Sequence, residues 1–280
     1  MAGTSLSSVI DLALAEDVGA GDATTDAIVP AHLTGTADVV VREPGVVCGF
    51  EPAVEVLLRL DPAATIEILT PEGTFVGDVP ATVARLHASM RAILTAERTL
   101  LNLLQRLSGI ATATRVYVEA VAGTGVEVLD TRKTAPGLRE LDKAAVRCGG
   151  GVNHRLRLDD AVLIKDNHVA VAGGVRPAID RVRAERPDLP IEVEVDRLDQ
   201  LDEALDAGAD SILLDNMDAG TLREAVRRTA GRARLEASGG ITLDTIRGVA
   251  ETGVAAISVG ALTHSVRALD IALEVTPSAS

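Results

Sequence analysis

In 280 residues the chain sets 27 Lys and Arg against 41 Asp and Glu, a net charge of −14, with 1% aromatic residues and no Trp. So acidic a chain lacks the basic face that duplexes require and has too few rings to stack single-stranded bases, which argues against nucleic-acid binding. No apolar run approaches the ~20 residues of a membrane-spanning helix, and Asp11, Glu16 and Asp17 interrupt the N-terminal apolar residues too early for a secretory signal; a cytoplasmic α/β globule with no membrane partner is expected.

Glycine and proline punctuate the N-terminal part, as in Val18-Gly-Ala-Gly-Asp22 and Glu43-Pro-Gly45. Between them lie β-rich runs at Ala37–Val41, Thr65–Leu69 and Ala81–Leu86 and a helix over Pro52–Leu60, which read as an α/β sandwich domain over residues 1–110. That domain ends in a long amphipathic helix from about Met90 to Leu107. Leu94, Leu101, Leu104 and Leu107 recur at helical spacing, and Arg91, Arg98 and Arg106 fall among the polar positions.

The texture then becomes regular. Short apolar runs begin near Val126, Ala161, Ile191, Ser211, Leu235 and Ala256, the last four spaced by 20, 24 and 21 residues. Helix-like stretches such as Leu198–Ala207 and Leu222–Thr229 fill the gaps, and such βα repeats build a parallel sheet or barrel. Six strands rather than eight predict an atypical, incomplete α/β barrel as the catalytic domain over residues 111–265. A C-terminal helix over Val266–Val275 and a flexible Pro-Ser-Ala-Ser tail are expected within 266–280.

Charge is unevenly placed along the chain. From Arg132 to His168 there are eight Lys or Arg against five Asp or Glu, an island of positive charge in an acidic protein and a natural anion site. Barrel enzymes present their chemistry at the C-terminal ends of the strands. Here those ends read Arg132-Lys133, Lys165, Glu194, Asp215, Ser238-Gly239-Gly240 and Gly260. The last two βα turns suit a phosphate: Ser238-Gly-Gly-Ile-Thr242 precedes a helical stretch at Leu243–Val249, and Gly260-Ala-Leu-Thr-His264 takes the equivalent place one unit later. Each taken alone is equally an ordinary glycine turn.

Arg132 and Lys133 fit an anion site or a solvated loop. Lys165 follows four apolar residues and stands at the barrel mouth, where a lysine binds phosphate, pairs with a carboxylate or forms a Schiff base. His154 and Arg155 follow three glycines, and Arg155 offers bidentate carboxylate recognition. His32 and His87 read as structural, and His168 fits either role. Glu192, Glu194 and Asp196 alternate with Ile191, Val193 and Val195; facing inward with Asp215 they suit Mg²⁺ or a cationic sugar, and facing outward they are a solvated strand face. Cys48 and Cys148 are too few for a disulfide framework or a zinc site and read as buried or glycine-flanked thiols kept reduced.

Several blocks together resemble the quinolinate phosphoribosyltransferase family: Leu14-Ala-Glu-Asp-Val-Gly-Ala-Gly-Asp-Ala-Thr-Thr25, Gly45-Val-Val-Cys-Gly49, Glu97-Arg-Thr99, Asp130-Thr-Arg-Lys-Thr-Ala-Pro-Gly-Leu-Arg139, Gly150-Gly-Val-Asn-His-Arg155, Lys165-Asp-Asn-His168, Leu214-Asp-Asn216 and Glu236-Ala-Ser-Gly-Gly240. The resemblance runs almost end to end. It implies transfer of a phosphoribosyl group from phosphoribosyl pyrophosphate to quinolinate with loss of CO₂, giving nicotinate mononucleotide for NAD biosynthesis, with Mg²⁺ as cofactor. Carried over, Arg132, His154, Arg155 and Lys165 would contact the quinolinate carboxylates, Lys133 and Lys165 the pyrophosphate, and Glu194 and Asp215 the ribose and metal. Ser238, Gly239, Gly240, Gly260 and His264 would hold the 5′-phosphate. Arg98 would arrive from a second subunit of a homodimer or larger homo-oligomer. Set against this are a Schiff-base lyase using Lys165, a phosphoribosyltransferase with another acceptor, and a non-catalytic anion-binding regulator that has no use for Glu194 and Asp215.

Overall fold

A computed structural model describes Leu6 to Ser278. In chain order α1 (Leu6–Val18) and α2 (Ala23–Ile28) precede β1 (Thr34–Val41), β2 (Gly45–Val46), α3 (Phe50–Leu60), β3 (Thr65–Ile68), β4 (Phe75–Val76), β5 (Ala81–Ser89) and α4 (Met90–Ala120). Next come β6 (Glu127–Leu129), α5 (Arg139–Cys148), β7 (Val162–Ile164), α6 (Asp166–Ala172), α7 (Val175–Glu185), β8 (Ile191–Val195) and α8 (Leu198–Asp206). The chain closes with β9 (Ser211–Asp215), α9 (Ala219–Thr229), β10 (Arg234–Ser238), α10 (Leu243–Ala250), β11 (Ala256–Ser258), α11 (Ala261–His264) and β12 (Ile271–Pro277).

Two compact units result. The first comprises Met1–Arg115, Thr134–Gly150 and Ser265–Ser280, and the second Val116–Lys133 and Gly151–His264. Both are therefore discontinuous in sequence, and the boundary expected at residue 110 falls inside α4.

The first unit is built on an antiparallel sheet in the order β12-β1-β5-β3, with β2 and β4 forming a separate pair. Along β1 the residues Ala37, Val39 and Val41 point into the core, as period-two alternation requires, while Asp38 on the opposite face pairs with Arg85 of β5 at 2.6 Å. That core joins α1, α3 and α4 through Ile10, Val56, Ile93 and Leu100, all at 0% exposure. The opening helices had no counterpart in the sequence expectation. Asp22 caps α2 by accepting from the Thr24 and Thr25 amides at 3.1 and 3.0 Å, which gives the Asp22-Ala-Thr-Thr25 block a structural meaning.

The helix expected over Val266–Val275 is corrected: residues 271–277 form β12, antiparallel to β1 with Ile271 opposite Val41 and Leu273 opposite Val39. Ala, Leu and Glu favour a helix locally, but β1 would otherwise present a bare edge of unpaired amides and carbonyls beside a buried face. Long-range pairing wins. Of the expected flexible tail, Ser278 donates its amide to Thr34 at 3.0 Å, and Ala279 and Ser280 lie outside the described residues.

The second unit holds the six-stranded sheet β6-β11-β10-β9-β8-β7, every pair parallel. Among the described residues no strand pairing joins β6 to β7, so the barrel is left incomplete, as expected; a single parallel bridge, Leu129 to Val152, lies beyond β6. Its outward positions are apolar and buried, as with Ile191, Val193 and Val195 in β8 and Ile212 and Leu214 in β9. Alternation then turns Glu192, Glu194, Glu236 and Ser238 to the other face. The inner strand face thereby carries most of the cavity's carboxylates, beside Leu163 and Leu213.

Candidate active site

The C-terminal ends of the parallel strands open into one cavity of about 810 Å³ within the second unit. It brings together Arg132, Lys133, His154, Arg155, Lys165, Glu194, Asp215, Ser238, Gly239, Gly240, Gly260 and His264, so residues up to 132 positions apart, from all six strand ends and the turns after them, share one space. Arg98, an exposed residue of α4 in the first unit, does not line it.

The segment after the glycine triplet is organised by His154. Its amide donates to Asp130 at 2.9 Å, and Asp130, at 0% exposure, also receives the Asn153 side-chain amide. The imidazole Nδ1 accepts the Arg155 amide at 2.7 Å, which leaves the ring proton on Nε2, 2.8 Å from Glu192 and 3.7 Å from Glu236. Glu236 is 3% exposed and receives the Ser258 hydroxyl. Burial and the neighbouring Glu192 push its carboxyl up to about 7, with His154 and Ser258 opposing. The site thus rests on two carboxylates beneath one histidine.

Beside this floor stand two guanidinium groups. Burial and the Arg132 cation both hold Arg155 below its ordinary range, and Nη1 of Arg155 donates to the Ala161 carbonyl at 3.1 Å. Nε of Arg132 is buried without a partner. Two neighbouring cations with an unsatisfied buried donor suit an anionic ligand.

Lys165 follows β7, and its ammonium lies 2.8 Å from Glu194 on β8. Neighbouring Asp215 ends β9; burial first, then repulsion from Glu194, raises its carboxyl, while the Asn216 side-chain amide at 2.7 Å opposes. Two adjacent, mutually repelling carboxylates are the oxygen donor set that a hard divalent cation takes. His168, left open by sequence, is structural: its Nδ1 accepts the Lys165 amide at 2.9 Å and starts α6. Asp196 leaves the set, since β8 ends at Val195 and Asp196 is exposed.

At the end of β9, Asn216 adopts φ 54° and donates its amide to the Ser238 carbonyl at 2.8 Å. A Cβ on Gly239 (φ 94°) would fall 2.1 Å from the Asn216 Oδ1 and 2.9 Å from its backbone nitrogen, so only glycine lets these turns abut. After Gly240, Thr242 caps α10 reciprocally with Thr245. Gly260 packs less tightly: a Cβ there would meet the His264 ring at 3.1 Å and the Lys133 stem at 3.3 Å. The expected phosphate turns therefore sit side by side on the cavity wall.

Sequence reasoning missed Glu236, Asn216 and Asp130. Glu236 had a signal, because it shares period-two alternation with Ser238 on β10. Asn216 and Asp130 lie within blocks that carry the resemblance, but the resemblance gave them no role.

A cationic cavity over parallel strand ends, walled by two glycine turns, defines a barrel enzyme that handles phosphorylated, anionic substrates. Residues 22–108 match the family described as quinolinate phosphoribosyl transferase, N-terminal domain, and residues 110–274 the corresponding C-terminal domain. The nicotinate-nucleotide pyrophosphorylase [carboxylating] of Mycobacterium leprae is 47% identical over 94% of this chain and 94% of its own. A probable enzyme of that name from Bacillus subtilis is 42% identical over 94% of this chain and 91% of its own. The solved NadC of Streptococcus pyogenes superposes with a TM-score of 0.94 at 39% identity, covering 98% of this chain and 97% of that one. The chain belongs to the quinolinate phosphoribosyltransferase family.

Proposed function

We propose that this chain transfers the phosphoribosyl group of phosphoribosyl pyrophosphate to quinolinate, releasing pyrophosphate and CO₂ and leaving nicotinate mononucleotide for NAD biosynthesis. The observation that carries the acceptor is the Arg132–Arg155 pair with its unsatisfied Nε, which calls for a dicarboxylate. Lys165 completes that wall, and His154 holds Arg155 in place through its amide. The pyridine nitrogen attacks C1 of the ribose as the C1–oxygen bond to pyrophosphate breaks. Lys133 and Lys165 stabilise the charge gathering on the leaving group, and Glu194 and Asp215 the positive charge developing on the sugar. Ser238, Gly239, Gly240, Gly260 and His264 anchor the 5′-phosphate. N-ribosylation makes the ring nitrogen cationic, so it stabilises the electron pair left on C2 when the carboxylate departs as CO₂, and a proton then binds that pair on C2.

Glu194 and Asp215 suit Mg²⁺, which would supply charge neutralisation for the pyrophosphate. Arg98 is assigned to the quinolinate site of a neighbouring subunit, so the working form is a homodimer or larger homo-oligomer. The cytoplasm completes the reading, since both cysteines are free thiols and no helix of the described residues is long and apolar enough to cross a membrane. With quinolinate, phosphoribosyl pyrophosphate and Mg²⁺ the protein should release equal amounts of pyrophosphate and CO₂, and nicotinate should not replace quinolinate. No release would overturn the proposal, and full activity of a monomer would remove the role of Arg98.

A further inference from the structure

The chain has two cysteines, a hundred residues apart in sequence, and the first unit brings them together. Cys48 lies between β2 and α3, Cys148 is the last residue of α5, and their sulfurs and a Glu72 carboxylate oxygen all lie within 4.8 Å of one another. The surroundings are fixed on both sides. Arg115 holds the Gly149 and Gly73 carbonyls at 3.1 and 3.2 Å, and Glu72 accepts the Gly49 and Phe50 amides at 2.7 and 2.6 Å. Ser108 receives the Cys48 amide and donates to its carbonyl, both at 3.0 Å.

The two thiols are unequal. Cys48 is 4% exposed, whereas Cys148 is half-buried. Hydrogen bonds from the Cys48 thiol and the Gly73 amide, with Arg115 nearby, hold the Cys148 thiol below its ordinary range against burial and Glu72. The same contact with Cys148, together with burial, keeps Cys48 protonated, with Glu72 acting in the same sense and Arg147 against it. One sulfur is thus the better nucleophile, and the other is a sheltered thiol within reach of it.

We infer that Cys148 and Cys48 form a peroxide-responsive pair, Cys148 reacting first and Cys48 resolving it to a reversible disulfide within the first unit. In the first step the Cys148 thiolate attacks a hydroperoxide: an S–O bond forms, the O–O bond breaks, and hydroxide (or alkoxide) leaves with the electron pair. In the second the Cys48 sulfur attacks the Cys148 sulfenic acid, the S–S bond forms, and the hydroxyl leaves as water with the Cys48 proton. The two thiols are oxidised by two electrons and one peroxide is reduced. The disulfide would join the β2–α3 connection to the end of α5, immediately before the glycines that lead to His154 and Arg155.

The test is treatment of the full-length reduced protein with hydrogen peroxide, then unfolding, alkylation and intact and peptide mass measurement under non-reducing conditions. The wild type should become two hydrogens lighter, lose both alkylatable thiols, yield one cross-linked peptide pair and recover with dithiothreitol. Cys48→Ser should accumulate a Cys148 sulfenic acid that dimedone captures, and Cys148→Ser should react at least ~10-fold more slowly than the wild type. Two alkylatable thiols surviving in oxidised wild type, a cross-link only between chains, or equal over-oxidation of Cys148 in wild type and Cys48→Ser would each overturn the inference. The wild-type mass result stands without either variant.

Discussion

Both units bury charge, and they do so to different ends. In the first, Asp142 is fully enclosed and completely answered: Arg106 grips it at 2.9 and 2.8 Å and the Ala135 amide donates at 3.1 Å. In the second, Glu192 and Glu236 share one imidazole, Asp215 and Glu194 repel each other, and Arg132 keeps a buried donor without a partner. A closed pair holds helices together. An open set leaves interaction energy for a ligand to complete, which is what a site needs and a core does not.

The contrast is testable by substitution in each unit. The largest effect should come from Arg132→Ala and Lys165→Ala, which should lower kcat/KM by about 100- to 1,000-fold with little change in melting temperature. A matching fall in melting temperature would place these residues with the structural pairs. Asp142→Ala should do the opposite, costing about 3 kcal/mol in urea unfolding because the Arg106 cation is left without its buried partner, while the folded fraction stays active.

Glu236 sharpens the comparison through pH. Its folded carboxyl titrates at about 7 against an ordinary 4.5, so the folded state binds the proton more tightly. Its contribution to stability is then full below pH 4.5 and is lost as pH rises through about 7, an effect on the order of 3 kcal/mol. Melting temperatures measured at pH 5 and pH 8 should differ less in Glu236→Gln than in the wild type, and an unchanged difference would sink the assignment.

The smallest effects come from neighbouring glycines. Gly239→Ala should cost about 2 kcal/mol, because its Cβ meets the Asn216 backbone. Gly240→Ala, at φ 61° and with open space around its Cβ, should cost about 1 kcal/mol. Thermal unfolding of the two variants side by side checks that order.

Much of the second unit was legible because its signals are local. Six apolar runs, the last four of them regularly spaced, became β6 to β11, and their polar ends met in one cavity. Lys165 and Glu194 could be picked out singly, yet nothing in the sequence said that they pair at 2.8 Å. His154 stood out as a ligand candidate, whereas its contact with Glu192 spans 38 residues and its neighbour Glu236 another 44. The first unit hid more, since its sheet takes β12 from the far end of the chain.

By itself, then, the sequence determined the family, the parallel six-strand pattern, the charged character of the strand ends and the glycines of the turns after β10 and β11. These depend on backbone periodicity and on residue types within a few positions of each other, where geometry is set by bonded neighbours. Only the tertiary structure decided that residues 271–277 are a strand, that Glu236 lies beneath His154, that Arg132 is left unsatisfied beside Arg155, and that Cys48 faces Cys148. Each of those depends on segments far apart in the chain being packed against one another, and long-range pairing overrides local preference wherever an exposed sheet edge or a buried charge would otherwise go unanswered.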